Sequence, residues 1–166
     1  MKYYFLTFIF LIFYSCNENL NYDIVDGQVD KDYLFNSNNT KWFTDNYNSY
    51  LTDTFLSENN FDNIDNYTIE LYMGVECHDS EREVPILIKI LDEIKFSDNK
   101  LKIYLLKQNK TSDSGFEKGK NITNTPTIIF YKNSKEINRI VEFPVETLER
   151  DIYKIINDIE YRHVYY

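Results

Sequence analysis

Residues 68–85 read TIELYMGVECHDSEREVP, a sequence typical of a strand followed directly by a helix. Its first six residues, Thr68–Met73, have the apolar and β-branched composition of a strand. Between residues 80 and 94, apolar side chains recur at the spacing of one helical face, and Pro85 predicts a kink within that helix. A strand that leads directly into a helix places Cys77 at the helix N-terminus.

Apolar runs on the C-terminal side of this unit predict three further strands and a closing helix. In order, these elements cover residues 101–106, 127–131, 136–142 and 145–161. The turn at 132–135 joins the last two strands as a hairpin. Residues 107–124 are polar and predict a long connection with room for a short helix.

Aromatic residues mark the segment on the N-terminal side of the unit. Their spacing of three and four predicts one amphipathic helix with an inward-facing stripe, formed by Trp42, Phe43, Tyr47, Tyr50, Leu51 and Phe55. Residues 17–39 are rich in Asn and Asp and weakly periodic, which indicates a tether with a loosely packed segment. The predicted domain therefore covers residues 40–166.

The predicted elements form a βαβ unit joined to a ββα unit. A right-handed parallel crossover followed by a hairpin gives a mixed sheet. We therefore expect an α/β fold in which a central mixed four-stranded sheet is flanked by helices on both faces. A chain of 166 residues, of which 43% are hydrophobic, has room for one such domain.

The N-terminus has the features of an export signal. Residues 3–14 are apolar or aromatic apart from one threonine, they follow Lys2, and Ser15 and Cys16 come directly after them. About 12 residues rise only about 18 Å as a helix, which is too short for a hydrocarbon core of about 30 Å. We therefore expect this segment to be cleaved.

Residues 13–16 resemble a lipobox, in which a small residue precedes a cysteine that is diacylated and becomes the new N-terminus. The resemblance implies a signal peptide over residues 1–15, lipidation at Cys16 and a tether over residues 16–39. It places the protein in the bacterial cell envelope, facing the periplasm or the cell exterior, with the membrane as a partner through the lipid anchor. The alternative is an ordinary signal peptide with a chance cysteine.

Charge and ligand types limit the possible partners. A formal net charge of -9 and an isoelectric point near 4.7 exclude binding to a phosphate backbone, which depends on Lys and Arg. A tetrahedral metal site usually needs four ligands, and His78 beside Cys77 and Asp79 lacks a fourth, because His163 lies far along the chain. We therefore expect no nucleic acid, no metal and no cofactor, and we take the protein to be a monomer.

Cys77 has the position of a nucleophile. The unpaired N–H groups and the dipole at a helix N-terminus stabilise a thiolate. Pro126 stands directly before the strand at 127–131, and a cis bond there would turn the backbone of Thr125 outward beside the thiol. An extended protein or peptide could pair with that backbone.

Together these features resemble the thioredoxin superfamily over residues 72–150. The resemblance is carried by Cys77 and Ser80 in a C-x-x-S arrangement, the helical Pro85, the Thr125-Pro126-Thr127 segment and the turn at 132–135. Residues 77–85 are similar to bacterial envelope members with a C-x-D-S signature.

The resemblance implies a thioredoxin-like fold and thiol–disulfide exchange. Its substrate would be a protein or peptide disulfide, and a low-molecular-weight thiol is a second class of partner. Cys77 would be the nucleophile, Ser80 would occupy the second catalytic position of the motif, and the substrate would be bound by His78, Asp79, Thr125 and Pro126.

Departures from the family leave the function open. Ser80 stands where a resolving cysteine is usual, so acylation of Cys16 would leave Cys77 without an intramolecular disulfide partner. Acidic neighbours of Cys77 disfavour a thiolate, and Leu71 stands where thioredoxins hold a buried acid. Three functions remain: monothiol exchange, a binding module in which Cys77 is a relic, and a structural role in the envelope.

Overall fold

The computed structural model describes residues 26–166. The signal peptide predicted over residues 1–15 and the predicted lipidation site Cys16 lie outside the described residues. Within residues 26–166, no helix has the length and apolar character needed to cross a bilayer.

Residues 26–166 form a mixed α/β fold with one five-stranded sheet. Its strands are β1 (Gly27–Val29), β2 (Thr68–Met73), β3 (Leu101–Leu105), β4 (Thr127–Lys132) and β5 (Lys135–Val141), in the spatial order β1-β3-β2-β4-β5. β2 and β3 are parallel, and the other neighbours are antiparallel. The four predicted strands are all present, and β1 adds a fifth at the edge. This strand has only three residues, too few to show an alternating pattern.

The five α-helices in the described part of the chain pack on one face of the sheet. They are α1 (Lys31–Asn36), α2 (Lys41–Ser49), α3 (Thr54–Glu58), α4 (His78–Glu93) and α5 (Leu148–Ile156). Each contributes buried side chains to one large apolar core, among them Leu34, Phe43, Leu56, Leu87 and Ile152. The core also contains every second residue of β2, beginning at Ile69.

The other face of the sheet is covered by the connection 107–126, which forms turns and contains no helix. Tyr72 and Tyr104 stack with ring centroids 4.9 Å apart, and Phe116 lies 4.8 Å beyond Tyr104. Nζ of Lys120 lies 2.7 Å from Glu70. For residues 26–166 the expectation of helices on both faces is therefore wrong, because the turns of this connection cover the second face.

The aromatic segment forms two helices where the spacing predicted one. α2 ends at Ser49, and α3 begins at Thr54 after Asp53, whose side chain accepts a hydrogen bond from the Phe55 N–H at 3.0 Å. This N-cap starts a new helix and turns the chain. As a result Leu51, predicted to face the core, is 87% exposed.

Both ends of the folded domain differ from the predicted elements. Tyr33 and Leu34, which the sequence analysis places in the tether, are buried in the core of the domain. α5 ends at Ile156, short of residue 161, and Ile159 is exposed. Tyr161 is nevertheless buried, and its hydroxyl lies 2.9 Å from the Asp151 carboxylate.

Candidate functional site

Cys77 is the N-cap residue of α4, as the sequence predicts. Its N–H donates to the Gly74 carbonyl at 3.2 Å, and its carbonyl accepts from the Glu81 N–H at 2.9 Å. The cysteine side chain makes no capping hydrogen bond to the helix. The partly exposed thiol therefore lies beside the unpaired N–H groups of the first helical turn.

The cis-proline segment faces this thiol. The Thr125–Pro126 peptide bond is cis, which confirms the prediction. The Cys77 thiol donates a hydrogen bond to the Thr125 carbonyl, with Sγ and O 3.1 Å apart. The Pro126 carbonyl accepts from the Glu142 N–H at 2.7 Å, which ties the segment to the residue after β5.

Two side chains hold the loop between β2 and Cys77. Ser80 is fully buried, and its hydroxyl accepts a hydrogen bond from the Gly74 N–H at 3.3 Å. The indole N–H of Trp42 donates to the Val75 carbonyl, also at 3.3 Å. Ser80, predicted as a catalytic residue, thus contacts the loop backbone, and Trp42, predicted only as a core residue, fixes the loop from α2.

A cavity of about 390 Å³ opens beside the thiol. Cys77, Glu76 and Thr125 form part of its wall. The rest comes mainly from the chain after β3, where Leu106, Lys107, Gln108 and Lys110 line the cavity. The sequence did not predict these four residues as site residues, because Leu106 ends a predicted strand and the other three lie in a polar stretch with no motif of its own.

Charged groups surround the site. Lys107 lies 3.8 Å from Asp26 and also pairs with Asp113, and the hydrogen bond to Asp113 raises the pKa of Lys107. Lys110 donates to the Gln108 carbonyl at 3.4 Å. Glu76 also lines the cavity, which therefore has both acidic and basic groups.

His78 and Asp79 do not line the cavity. The side chain of His78 is 96% exposed, and its nearest acidic partner is Glu81 at 3.9 Å. Asp79 pairs with Arg82 at 2.8 Å along α4. Of the predicted substrate contacts, Thr125 and the adjoining Pro126 therefore lie with Cys77, and the other two residues occupy the outer surface of the helix.

One acidic residue of α4, six positions after Cys77, is buried. Glu83 is almost fully buried, and burial raises the pKa of its carboxyl although Arg82 pairs with it at 2.6 Å. Leu71 lies in the apolar core.

Across residues 26–166, no group of three or more His, Cys, Asp or Glu side chains is arranged to hold a metal ion.

Comparisons with family models, curated proteins and solved structures found no match to this chain. The geometry around Cys77 is therefore the basis for a function.

Proposed function

We propose that the domain has a thioredoxin-like fold. The order β3-β2-β4-β5 supports this assignment, with β2 and β3 parallel and β4 antiparallel to β2. Further support comes from α4, which follows β2 directly, and from the cis bond before β4. The edge strand β1 is an addition to that plan. The packing of the described helices on one face of the sheet is a departure from it.

We propose monothiol thiol–disulfide exchange at Cys77 as the function that this geometry supports best. One observation carries the proposal: Sγ of Cys77 lies 3.1 Å from the Thr125 carbonyl, beside the cis bond and on the wall of a cavity. An extended partner that donates an N–H to this carbonyl would bring its own disulfide against Sγ.

The reaction consists of two exchange steps. The Cys77 thiolate attacks one sulfur of the partner disulfide, so a mixed S–S bond forms, the original S–S bond breaks, and the second sulfur leaves as a thiolate that takes up a proton. An external thiol then loses its proton and attacks the partner sulfur of the mixed disulfide. Cys77 leaves as a thiolate, and the partner sulfur is now bonded to the external thiol. Ser80 has no sulfur, so release depends on that external thiol.

We propose that Cys16 carries the lipid anchor of a bacterial envelope protein that faces the periplasm or the cell exterior. The support is the position of Ser15 and Cys16 directly after the apolar run. Each buried CH₂ of an acyl chain contributes about 0.8 kcal/mol, so two or more chains give stable attachment.

The exchange proposal predicts a stable mixed disulfide. Reduced protein mixed with a disulfide-linked peptide dimer, without free thiol, should gain the mass of one peptide, and a small thiol should release it. Cys77→Ser should abolish the adduct, because serine cannot form an S–S bond, and should leave the circular dichroism spectrum unchanged. A wild-type protein that forms no adduct would refute exchange.

A binding module without thiol chemistry is the second candidate. The observation that favours it is the same hydrogen bond, because only the neutral thiol can donate to Thr125, while acidic Glu76 lines the same cavity. A disulfide-free extended peptide would then bind wild type and Cys77→Ser with the same affinity. Calorimetry with both proteins, alongside the adduct assay, separates the two functions.

A further inference from the structure

The chain enters the domain at the end of the sheet that carries Cys77. β1 is antiparallel to β3, and Gly27 lies opposite Leu105, the last residue of β3. β2 is parallel to β3 and ends there as well, with Met73 opposite Leu105. The start of β1 and the loop that leads to Cys77 are therefore at the same end, two strand spacings or about 10 Å apart.

The contacts of Asp26 fix this entry point. Its carboxylate accepts a hydrogen bond from the Asp113 N–H at 2.6 Å and lies 3.8 Å from Nζ of Lys107. Lys107 in turn lines the cavity that contains Cys77. Asp26, the first described residue, thus contacts a side chain, that of Lys107, which lines the cavity beside Cys77.

Only a short length of chain separates this entry point from the proposed anchor. The ten peptide steps from Cys16 to Asp26 span at most about 35 Å when extended. A domain of this size has a similar diameter of about 35 Å. A strand rises about 3.3 Å per residue, so Thr68, five residues before Met73, lies about 16 Å further along the strand axis from the end of the sheet at which the chain enters.

We propose that the tether presents the Cys77 end of the domain to the membrane, and that the partner is a membrane protein with a disulfide close to the bilayer surface. This inference rests on the proposed function, namely the anchor at Cys16 and exchange at Cys77. A disulfide fixed in the same membrane meets Cys77 at a raised effective concentration. A soluble partner gains nothing from the tether.

The full-length acylated protein in phosphatidylcholine vesicles tests the orientation. A lipid with a maleimide on its headgroup labels thiols that approach the surface, and a soluble maleimide measures the reactivity of the same thiol in solution. The matched control is the double variant Cys77→Ser, Thr68→Cys. It moves the single unacylated thiol to an exposed residue at the opposite end of β2.

We expect the ratio of lipid-linked to soluble labelling to be about fivefold higher at residue 77 than at residue 68. Equal ratios, or a higher ratio at residue 68, would overturn the orientation and leave the exchange chemistry untouched. A protein that does not bind vesicles would refute the anchor and this inference with it. Fast labelling of Cys77 from the membrane without any peptide adduct would support the orientation and refute the exchange function.

Discussion

The Cys77 thiol donates its hydrogen bond to a single atom, the carbonyl oxygen of Thr125. A thiolate has no proton to donate, so ionisation of the sulfur breaks this contact and frees the carbonyl to accept from a partner backbone. In the proposed exchange, activation of the sulfur and binding of an extended chain would therefore depend on the same oxygen atom. The Ser80 hydroxyl is buried against the Gly74 N–H, so it would take no part in that step.

Ser80→Cys should supply the thiol that the motif lacks. Residue 80 follows Cys77 by three positions at the start of α4, so both side chains lie on one side of the helix. We expect release of a peptide mixed disulfide at least tenfold faster than in wild type without external thiol, because the attack becomes intramolecular, on the order of the gains known for tethered groups. Mass spectrometry over time measures the release. The matched control is Ser57→Cys, at an exposed residue of α3, which should keep the wild-type lifetime of the mixed disulfide. If Ser80→Cys also keeps that lifetime, residue 80 does not reach the mixed disulfide and the prediction is wrong.

Glu83→Gln should change how stability depends on pH. Burial raises the pKa of Glu83 in the folded protein above its value in the unfolded chain. The folded state then holds its proton more strongly, so this residue makes the free energy of unfolding fall as the pH rises from the unfolded pKa through the folded one. The variant should remove that fall, as measured by urea unfolding between acidic and neutral pH. Glu160→Gln, on an exposed residue, should retain the wild-type profile.

At the scale of elements, periodicity predicts only those segments that are long enough to repeat. α4 has 16 residues and β2 to β5 have five to seven each, and all were predicted. β1 is too short for a pattern, and the break between α2 and α3 depends on the Asp53 cap rather than on the aromatic spacing. At β1 and at the break between α2 and α3, the structure depends on local turns and caps, which apolar periodicity does not show.

The candidate site divides in the same way. Cys77, Thr125 and Pro126 could be predicted because each stands in a motif at an element boundary. Trp42 and Lys107 could not, because their roles come from contacts across the fold: the Trp42–Val75 bond joins residues 33 positions apart. Only the tertiary packing of α2 against α4 brings that indole to the loop.

Trp42→Phe should loosen the loop before Cys77. Phenylalanine keeps a six-membered aromatic ring but lacks the pyrrole ring with the N–H that binds the Val75 carbonyl, and the lost hydrogen bond alone contributes about 1 kcal/mol to stability. We expect faster alkylation of Cys77, because the loop is less tightly held against the Thr125 carbonyl. Tyr47→Phe is the matched control on the same helix: it loses a 2.8 Å hydrogen bond to Asp92 and should leave the alkylation rate unchanged. Equal rates in both variants would show that Trp42 has a packing role alone.

At the scale of the whole molecule, the sheet has unequal cover on its two faces. Five helices pack on one face, whereas the connection 107–126 covers the other through Phe116, Lys120 and Ile122. The same connection supplies Lys107 and Lys110 to the cavity beside Cys77. The stability of this connection therefore affects the shape of the cavity beside Cys77.

Phe116→Ala should weaken this cover. The ring is 37% exposed and packs on Tyr104, so we expect a loss of about 1–2 kcal/mol and faster amide hydrogen exchange across residues 107–126. Phe143→Ala is a control of similar exposure, at 39%, whose ring contacts Tyr165. Its effect on exchange should be confined to the C-terminal tail. Unchanged exchange in the Phe116 variant would show that the ion pair of Lys120 holds the connection without the ring.

Trp42 is the sole tryptophan of the chain, and its indole is bound to the loop that carries the thiol. The protein thus contains an intrinsic optical reporter at its candidate site. Formation or release of a mixed disulfide at Cys77 should shift the emission of that indole, so the chemistry can be followed in real time without an added dye.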